Sequence, residues 1–368
     1  MQRRKIKTMA RDVFIFNPGP AALPEVVLDS TSKAVKDFAG TKMSIMEVSH
    51  RSKEFDSLIN DTSVILRRLM GIPDNYKILY LQGGASLQFA MVPINLLGPG
   101  KVADYIDTGR WSANAIKEAQ KIGKVNIAAS TKEENYTRIP ALSEIKLTPD
   151  ACYCHITSNN TVHGTQWKSF PDTGSVPLVA DMSSDILSRR INVSDFGIIY
   201  AGAQKNMGPA GVTVVIIRDD LAGMAPDNTP TMLNYATHAG KNSMFNTPPV
   251  IAVYVVHEVL KWIEDMGGIE KIEEINDKKA SAIYDVIDSS DFYRGTVDKD
   301  SRSKMNITLR LPSEDLEKEF VSRATEAGFL GLKGHRSVGG IRVSLYNAVP
   351  LEAAERLAEF MTAFQMEH

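Results

Sequence analysis

The stretch 181–218 holds the residues whose types and spacing bear most directly on chemistry. Asp181 ends the apolar run VPLVA, and in an open parallel sheet ligands gather at the carboxyl ends of strands. Lys205 follows 24 residues later in the turn AGAQKNMGPAG, between the run GIIYAG and another apolar run. Most lysines are solvated surface residues. This one is set among Gly202, Gly208 and Gly211, which leave room for something to approach the backbone. A lysine at an apolar sheet edge can lose its charge and form a Schiff base, while a carboxylate can keep a pyridinium nitrogen protonated. The pair therefore points to pyridoxal phosphate (PLP).

The phosphate of such a cofactor needs a cradle. Gly83-Gly84-Ala85-Ser86 lies between a strand-length apolar run and an apolar helical segment, so backbone N–H groups at a helix start can receive an anion. Trp111, in DTGRWS after another strand-length run, can stack on a planar ring. No GxGxxG or GxxxxGK[ST] nucleotide fingerprint occurs. Cys152-x-Cys154-His155 lacks the second spaced pair that a zinc site needs, so no metal is expected.

Positioning these residues requires a sheet edge. Apolar or β-branched runs at 77–81, 102–106, 152–156, 176–180, 198–201 and 212–217 read as strands. Helices are expected from Pro24 towards Gly40, from an N-cap at Ser52 to Gly71, and over 87–97, 111–121 and 250–263. This alternation is the pattern of an α/β domain with a largely parallel sheet. From 269 the texture changes to a helix over 269–288, a strand at 305–311, a helix over 314–327, a strand at 341–345 and a last helix from Pro350. A boundary is expected near residue 268.

The 42 Lys+Arg balance 44 Asp+Glu, a formal charge of −2, which excludes a polyanion or membrane-surface binder. Two cysteines are too few for a disulfide framework, and a reducing, cytoplasmic setting is the simpler reading. No apolar run reaches membrane-spanning length. The basic segment 1–10, MQRRKIKTMA, has no apolar h-region and reads as a disordered extension ahead of the folded chain.

Taken together the motifs resemble the phosphoserine aminotransferase family, a branch of the class V, fold-type I PLP enzymes. They are FNPGPAALP (16–24), MEVSHRSKEF (46–55), DTGRWS (107–112), VADMSSDILSR (179–189), IYAGAQKNMGPAG (199–211), MFNTPP (244–249) and LKGHRSVGGIRVSLYNA (332–348). The resemblance implies a large PLP-binding domain, 24–268, with a mainly parallel seven-stranded sheet flanked by helices. A smaller α/β domain would comprise 11–23 and 269–368. It implies Lys205 as the Schiff-base lysine that then moves protons, Asp181 on the pyridine nitrogen, Trp111 on the ring, and Thr161 and Gln204 bonded to the cofactor. Ala85 and Ser86 would hold the phosphate, with Asn246 and Thr247 reaching it from the other subunit of a homodimer with shared active sites. Some members carry Gly-Arg where this chain has Ala85-Ser86, so the backbone contribution there is the firmer one.

For substrate, the resemblance makes Arg342 the receptor of the α-carboxylate through a bidentate contact. His335-Arg336, with His50-Arg51 from across the dimer, would grip the distal anion. One such site can serve both a phosphate and a γ-carboxylate. The implied reaction is ping-pong transfer of the amino group between L-glutamate and 3-phosphohydroxypyruvate, giving O-phospho-L-serine and 2-oxoglutarate in serine biosynthesis. A part in pyridoxine biosynthesis is also allowed. The rival is a class V aminotransferase of small amino acids, which has no use for a second anion site. A cysteine desulfurase is excluded, because no cysteine follows Cys154.

Overall fold

The computed structural model describes residues 12–368, so the extension expected over 1–10 lies outside the described residues. The described chain opens with strand β1 (Phe14–Ile15) and helices α1 (Glu25–Lys36) and α2 (Lys53–Met70). Ser52 caps α2 by accepting the Phe55 N–H at 3.2 Å, and Gly71 ends it in the left-handed region. Pro24 stands just before α1 rather than in its first turn. That helix stops at Lys36, where the Phe38 N–H turns back to the Met43 carbonyl instead of continuing to Gly40.

The central sheet is built from β2 (Tyr76–Leu81), β3 (Val102–Asp107), β4 (Lys124–Ser130), β5 (Cys154–Thr157), β6 (Leu178–Asp181), β7 (Ile198–Gly202) and β8 (Thr213–Arg218). Their order is β2-β8-β7-β6-β5-β3-β4. Only β8 runs against its neighbours, so the sheet is mainly parallel as expected. Helices α3 (Gly84–Leu96) and α4 (Arg110–Gln120) link its first strands. The short α5 (Asp219–Ala222) and α6 (Tyr235–Ala239) precede α7 (Val250–Asp265). The two faces carry separate cores: Ile78, Tyr80 and Ile156 pack with α2 and α7, while Leu79, Leu81 and Tyr200 pack with α3 and α4. Burial on both faces is why these strands read as nearly unbroken apolar runs.

Two local expectations shift. β4 was absent from the sequence reading because KVNIAAS is a half-exposed edge strand with only Ala128 buried. β5 starts at Cys154, two residues late, so Cys152 precedes the strand; both cysteines are unpaired.

The chain continues through α8 (Gly268–Asp288), β9 (Arg294–Gly295), β10 (Asn306–Arg310), α9 (Glu314–Glu326), β11 (Phe329–Leu330), β12 (Ile341–Ser344) and α10 (Leu351–Glu367). A small antiparallel sheet β12-β10-β9 forms here, and β1 pairs in parallel with β11. Phe16 therefore sits in the same core as Ile307, Phe320 and Phe364. α8 joins the two bodies: Ile269 and Ile272 belong to the α2–α7 core, Ile283 and Ile287 to the C-terminal one. No described helix is long and apolar enough to cross a membrane.

For the site the decisive feature is one edge of the large sheet. Leu81, Asp107, Thr157, Asp181 and Gly202 all end strands there. The return from β7 to the reversed β8 crosses the same edge and carries Lys205.

Candidate active site

A cavity of about 340 Å³ opens at this edge. Of the residues singled out from the sequence, Gly84, Ala85, Ser86, Trp111, Thr161, Asp181, Gln204, Lys205, His335 and Arg342 line it. Pro18, Gly19, Phe89, Thr157, Asn159, Val162, Ser183 and Ser184 complete the wall, and none of these was identified beforehand as a site residue.

Lys205 donates its Nζ to Thr161 Oγ1 at 2.8 Å. Burial pushes its pKa down to about 8; the Asp181 charge opposes this and Arg342 adds to it. The chain 18–20 closes one side of the lysine. Gly19 has φ +132°, and a Cβ there would stand 3.3 Å from Lys205 Cγ, so the close approach requires glycine. Asp181, at the end of β6, is pushed up by burial, against which the Ser183 hydrogen bonds and the Lys205 charge pull it down. The Ser183 N–H donates to Asp181 Oδ1 at 2.9 Å, and Ser183 Oγ accepts the Gly202 N–H at 3.1 Å. Ser183 thus ties the carboxylate to the strand that leads to Lys205.

The anion cradle is tighter than its sequence suggested. Helix α3 begins at Gly84 rather than 87, so Ala85 and Ser86 occupy its first turn. Their N–H groups, with that of Gly84, have no acceptor within the helix. Gly83 has φ +89°, and a Cβ would lie 2.6 Å from Leu87 Cδ2, so only glycine allows this entry. Helix-end N–H groups and the helix dipole together suit a phosphate. Trp111, in the first turn of α4, is half-buried, and its Nε1 is buried without a partner.

Arg342 lies on β12, buried, with Nη1 donating to the Thr161 carbonyl at 3.3 Å and Nε unpartnered. It has no carboxylate partner among the described residues, and burial pushes its pKa down. A buried cation without a counter-ion is costly, so this geometry is suited to an arriving anion. His335 is half-buried; burial, then Arg110, Arg342 and Arg336, push its pKa down, and its Nδ1 meets Ser337 Oγ at 2.7 Å.

The remaining expected residues are elsewhere. Arg336 is exposed and lines an adjoining groove with Arg310 and Glu317. His50 and Arg51 border a surface depression with Lys241 and Met244. Asn246 lines a separate small pocket together with Gln82 and Ser243, and the Thr247 carbonyl accepts from Gln82 Nε2 at 3.1 Å. None of these five lines the Lys205 cavity of its own chain.

The residues in the cavity fit PLP: an amine of lowered pKa, a buried carboxylate, an aromatic face and a glycine-entered helix end. Comparison with known proteins agrees. The model for aminotransferase class-V matches residues 13–357. A phosphoserine aminotransferase of Desulfatibacillum aliphaticivorans is 58% identical over 362 residues, covering 98% of this chain and 100% of that protein. The solved phosphoserine aminotransferase of Bacillus circulans subsp. alkalophilus superposes with a TM-score of 0.94 at 55% identity, over 96% of this chain and 98% of that one. A PLP-bound phosphoserine aminotransferase from Trichomonas vaginalis gives 0.91 at 38% identity, over 95% and 99%. On this sequence and structural evidence the chain belongs to the class-V aminotransferases and, within them, to the phosphoserine aminotransferase family.

Proposed function

We propose that the cavity transfers an amino group between L-glutamate and 3-phosphohydroxypyruvate, yielding 2-oxoglutarate and O-phospho-L-serine. The observation that carries this reading is the buried Arg342, free of any acid partner among the described residues and sharing the cavity with Lys205. PLP, when bound, withdraws electrons from the substrate's α-carbon. The chain's own residues do the rest. Lys205 moves the proton at that carbon, with Thr161 Oγ1 holding its amine in place. With the cofactor in place, Asp181 would keep its pyridine nitrogen protonated, Trp111 would lie against the ring, Gln204 would bond to it, and the Ala85 and Ser86 N–H groups would hold its phosphate. Arg342 takes the α-carboxylate in a two-pronged contact.

His335 and Arg336 receive the distal phosphate or γ-carboxylate. His50 and Arg51 of a second copy complete that site, and Asn246 and Thr247 of the second copy complete the phosphate cradle. Support for the homodimer comes from the position of these four residues outside the Lys205 cavity of their own chain, and from the exposed Met46 and Phe245 close to them in sequence. Pairing of β1 with β11 supports assigning 11–23 to the small domain with 269–368, and 24–268 to the large one. The unpaired cysteines support a cytoplasmic setting.

The test follows the visible band of the bound cofactor in single-turnover mode. Glutamate should remove the band and 3-phosphohydroxypyruvate restore it, with unphosphorylated hydroxypyruvate far slower. Equal rates for the two keto acids would refute the distal anion site and favour a transaminase of small amino acids.

A further inference from the structure

Lys279 stands in the middle of α8 with no exposed surface. Its Nζ donates to three backbone carbonyls, those of Leu345 at 3.0 Å, Tyr346 at 2.8 Å and Val349 at 3.0 Å. Among the described residues it has no carboxylate partner, and burial pushes its pKa down to about 7. Three carbonyl acceptors on one nitrogen are matched only by the charged form, which carries three N–H groups. Burying an ammonium without a counter-ion is costly, and a methionine would fill the space without that cost. What the site uses is three donors on one atom, which no other side chain presents so compactly. One helical turn earlier, Asn276 Nδ2 donates to Asn347 Oδ1 and to the Ser188 carbonyl, both at 2.9 Å. Two side chains of α8 thus hold the turn 345–349 from one side.

From its other side this turn reaches Lys205 by two short paths. The Asn347 N–H donates to Asn206 Oδ1 at 3.0 Å, and Asn206 is the residue after Lys205. The Tyr346 hydroxyl donates to the Pro18 carbonyl at 2.8 Å, and Pro18 precedes the glycine packed against Lys205. The same turn follows β12, which carries Arg342. We propose that Lys279, with Asn276 beside it, is a positioning residue for Lys205, setting its place through the turn 345–349. The proposal rests on the reading of Lys205 as the residue that holds the cofactor.

The experiment compares the wild-type holoenzyme with Lys279→Met. The readouts are the pH midpoint of the bound cofactor's visible absorption, kcat and KM. The midpoint should move by about half a pH unit or more. We expect kcat to fall about tenfold while KM for glutamate stays within about threefold. A role in stability alone would lower the melting temperature and leave the midpoint and kcat of the folded holoenzyme unchanged, which overturns the proposal. Should Lys279→Met fail to fold, Asn276→Ala decides by the same readouts: it keeps the ammonium and releases one hold on the turn. A shifted midpoint with a lowered kcat in Asn276→Ala supports the proposal, and an unchanged midpoint and kcat overturn it. Lys205→Ala separates this from the underlying reading, since a visible band that survives that substitution would overturn the role of Lys205 itself.

Discussion

In the cofactor-free protein Lys205 should titrate near pH 8, far below an ordinary lysine. Burial disfavours the charged form of a base, so its effect is downward. It outweighs the upward pull of Asp181, and Arg342 adds a second, smaller downward push. With a pKa of about 8 against the usual 10.5, the amine is ~9% neutral at pH 7 instead of ~0.03%, a gain of roughly 300-fold in the nucleophilic form. Trace labelling with acetic anhydride across pH 6 to 11 measures this directly, as roughly 1 in 100 amines reacts and the peptide containing Lys205 is read by mass spectrometry. Two variants test the signs. Asp181→Asn removes the opposing charge and should move the midpoint down; Arg342→Met removes a like charge and should move it up. A midpoint of about 10 or above in the folded protein would falsify the argument that burial dominates at Lys205. An upward move in Asp181→Asn would sink the pairing of the two groups even if the midpoint itself were right.

Arg342→Lys should raise KM for glutamate about 10- to 100-fold in steady-state assays, because a two-pronged charge-assisted contact worth roughly 1.5–3 kcal/mol is lost. Cofactor affinity should be unaffected. Gly83→Ala forces a side chain into a left-handed position and against Leu87. It should cost roughly 1–3 kcal/mol in thermal stability and weaken PLP binding in an absorbance titration, and unaltered affinity would remove the cradle from the argument. Arg51→Ala and Lys205→Ala should each be nearly inactive alone. Unfolded together and refolded as a mixture, they should recover about a quarter of wild-type activity if sites are shared across a two-fold dimer. No recovery would refute the shared site.

Much of this arrangement was legible before any coordinates. Lys205 and Asp181 were found because a parallel sheet puts its chemistry at strand ends, and the glycines around Lys205 leave room for a ligand beside it. The strands themselves were visible because burial on both faces leaves an unbroken apolar signature, and β4 escaped because an edge strand lacks it. Ser183 gave no signal. It acts through a backbone N–H, which every residue but proline carries, so only the turn after β6 shows that it holds Asp181. Pro18 and Gly19 belonged to a noticed motif, yet their closeness to Lys205 depends on a contact spanning most of the large domain.

The sequence by itself determined the chemistry: an amine, a carboxylate, a tryptophan able to stack, a glycine pair before a helix and an arginine in GGIR, in an order that resembles one family. Tertiary structure decided which of these meet. It brought Arg342 and His335 into the Lys205 cavity and left His50, Arg51, Asn246, Thr247 and Arg336 outside it. It also made Lys279, to which the sequence drew no attention, a buried clamp on three carbonyls. The physical reason is the same in both cases. Residue type and local spacing govern which bonds a side chain can make, whereas its partners are backbone groups and charges 44 to 181 residues away along the chain, and only packing brings them within reach.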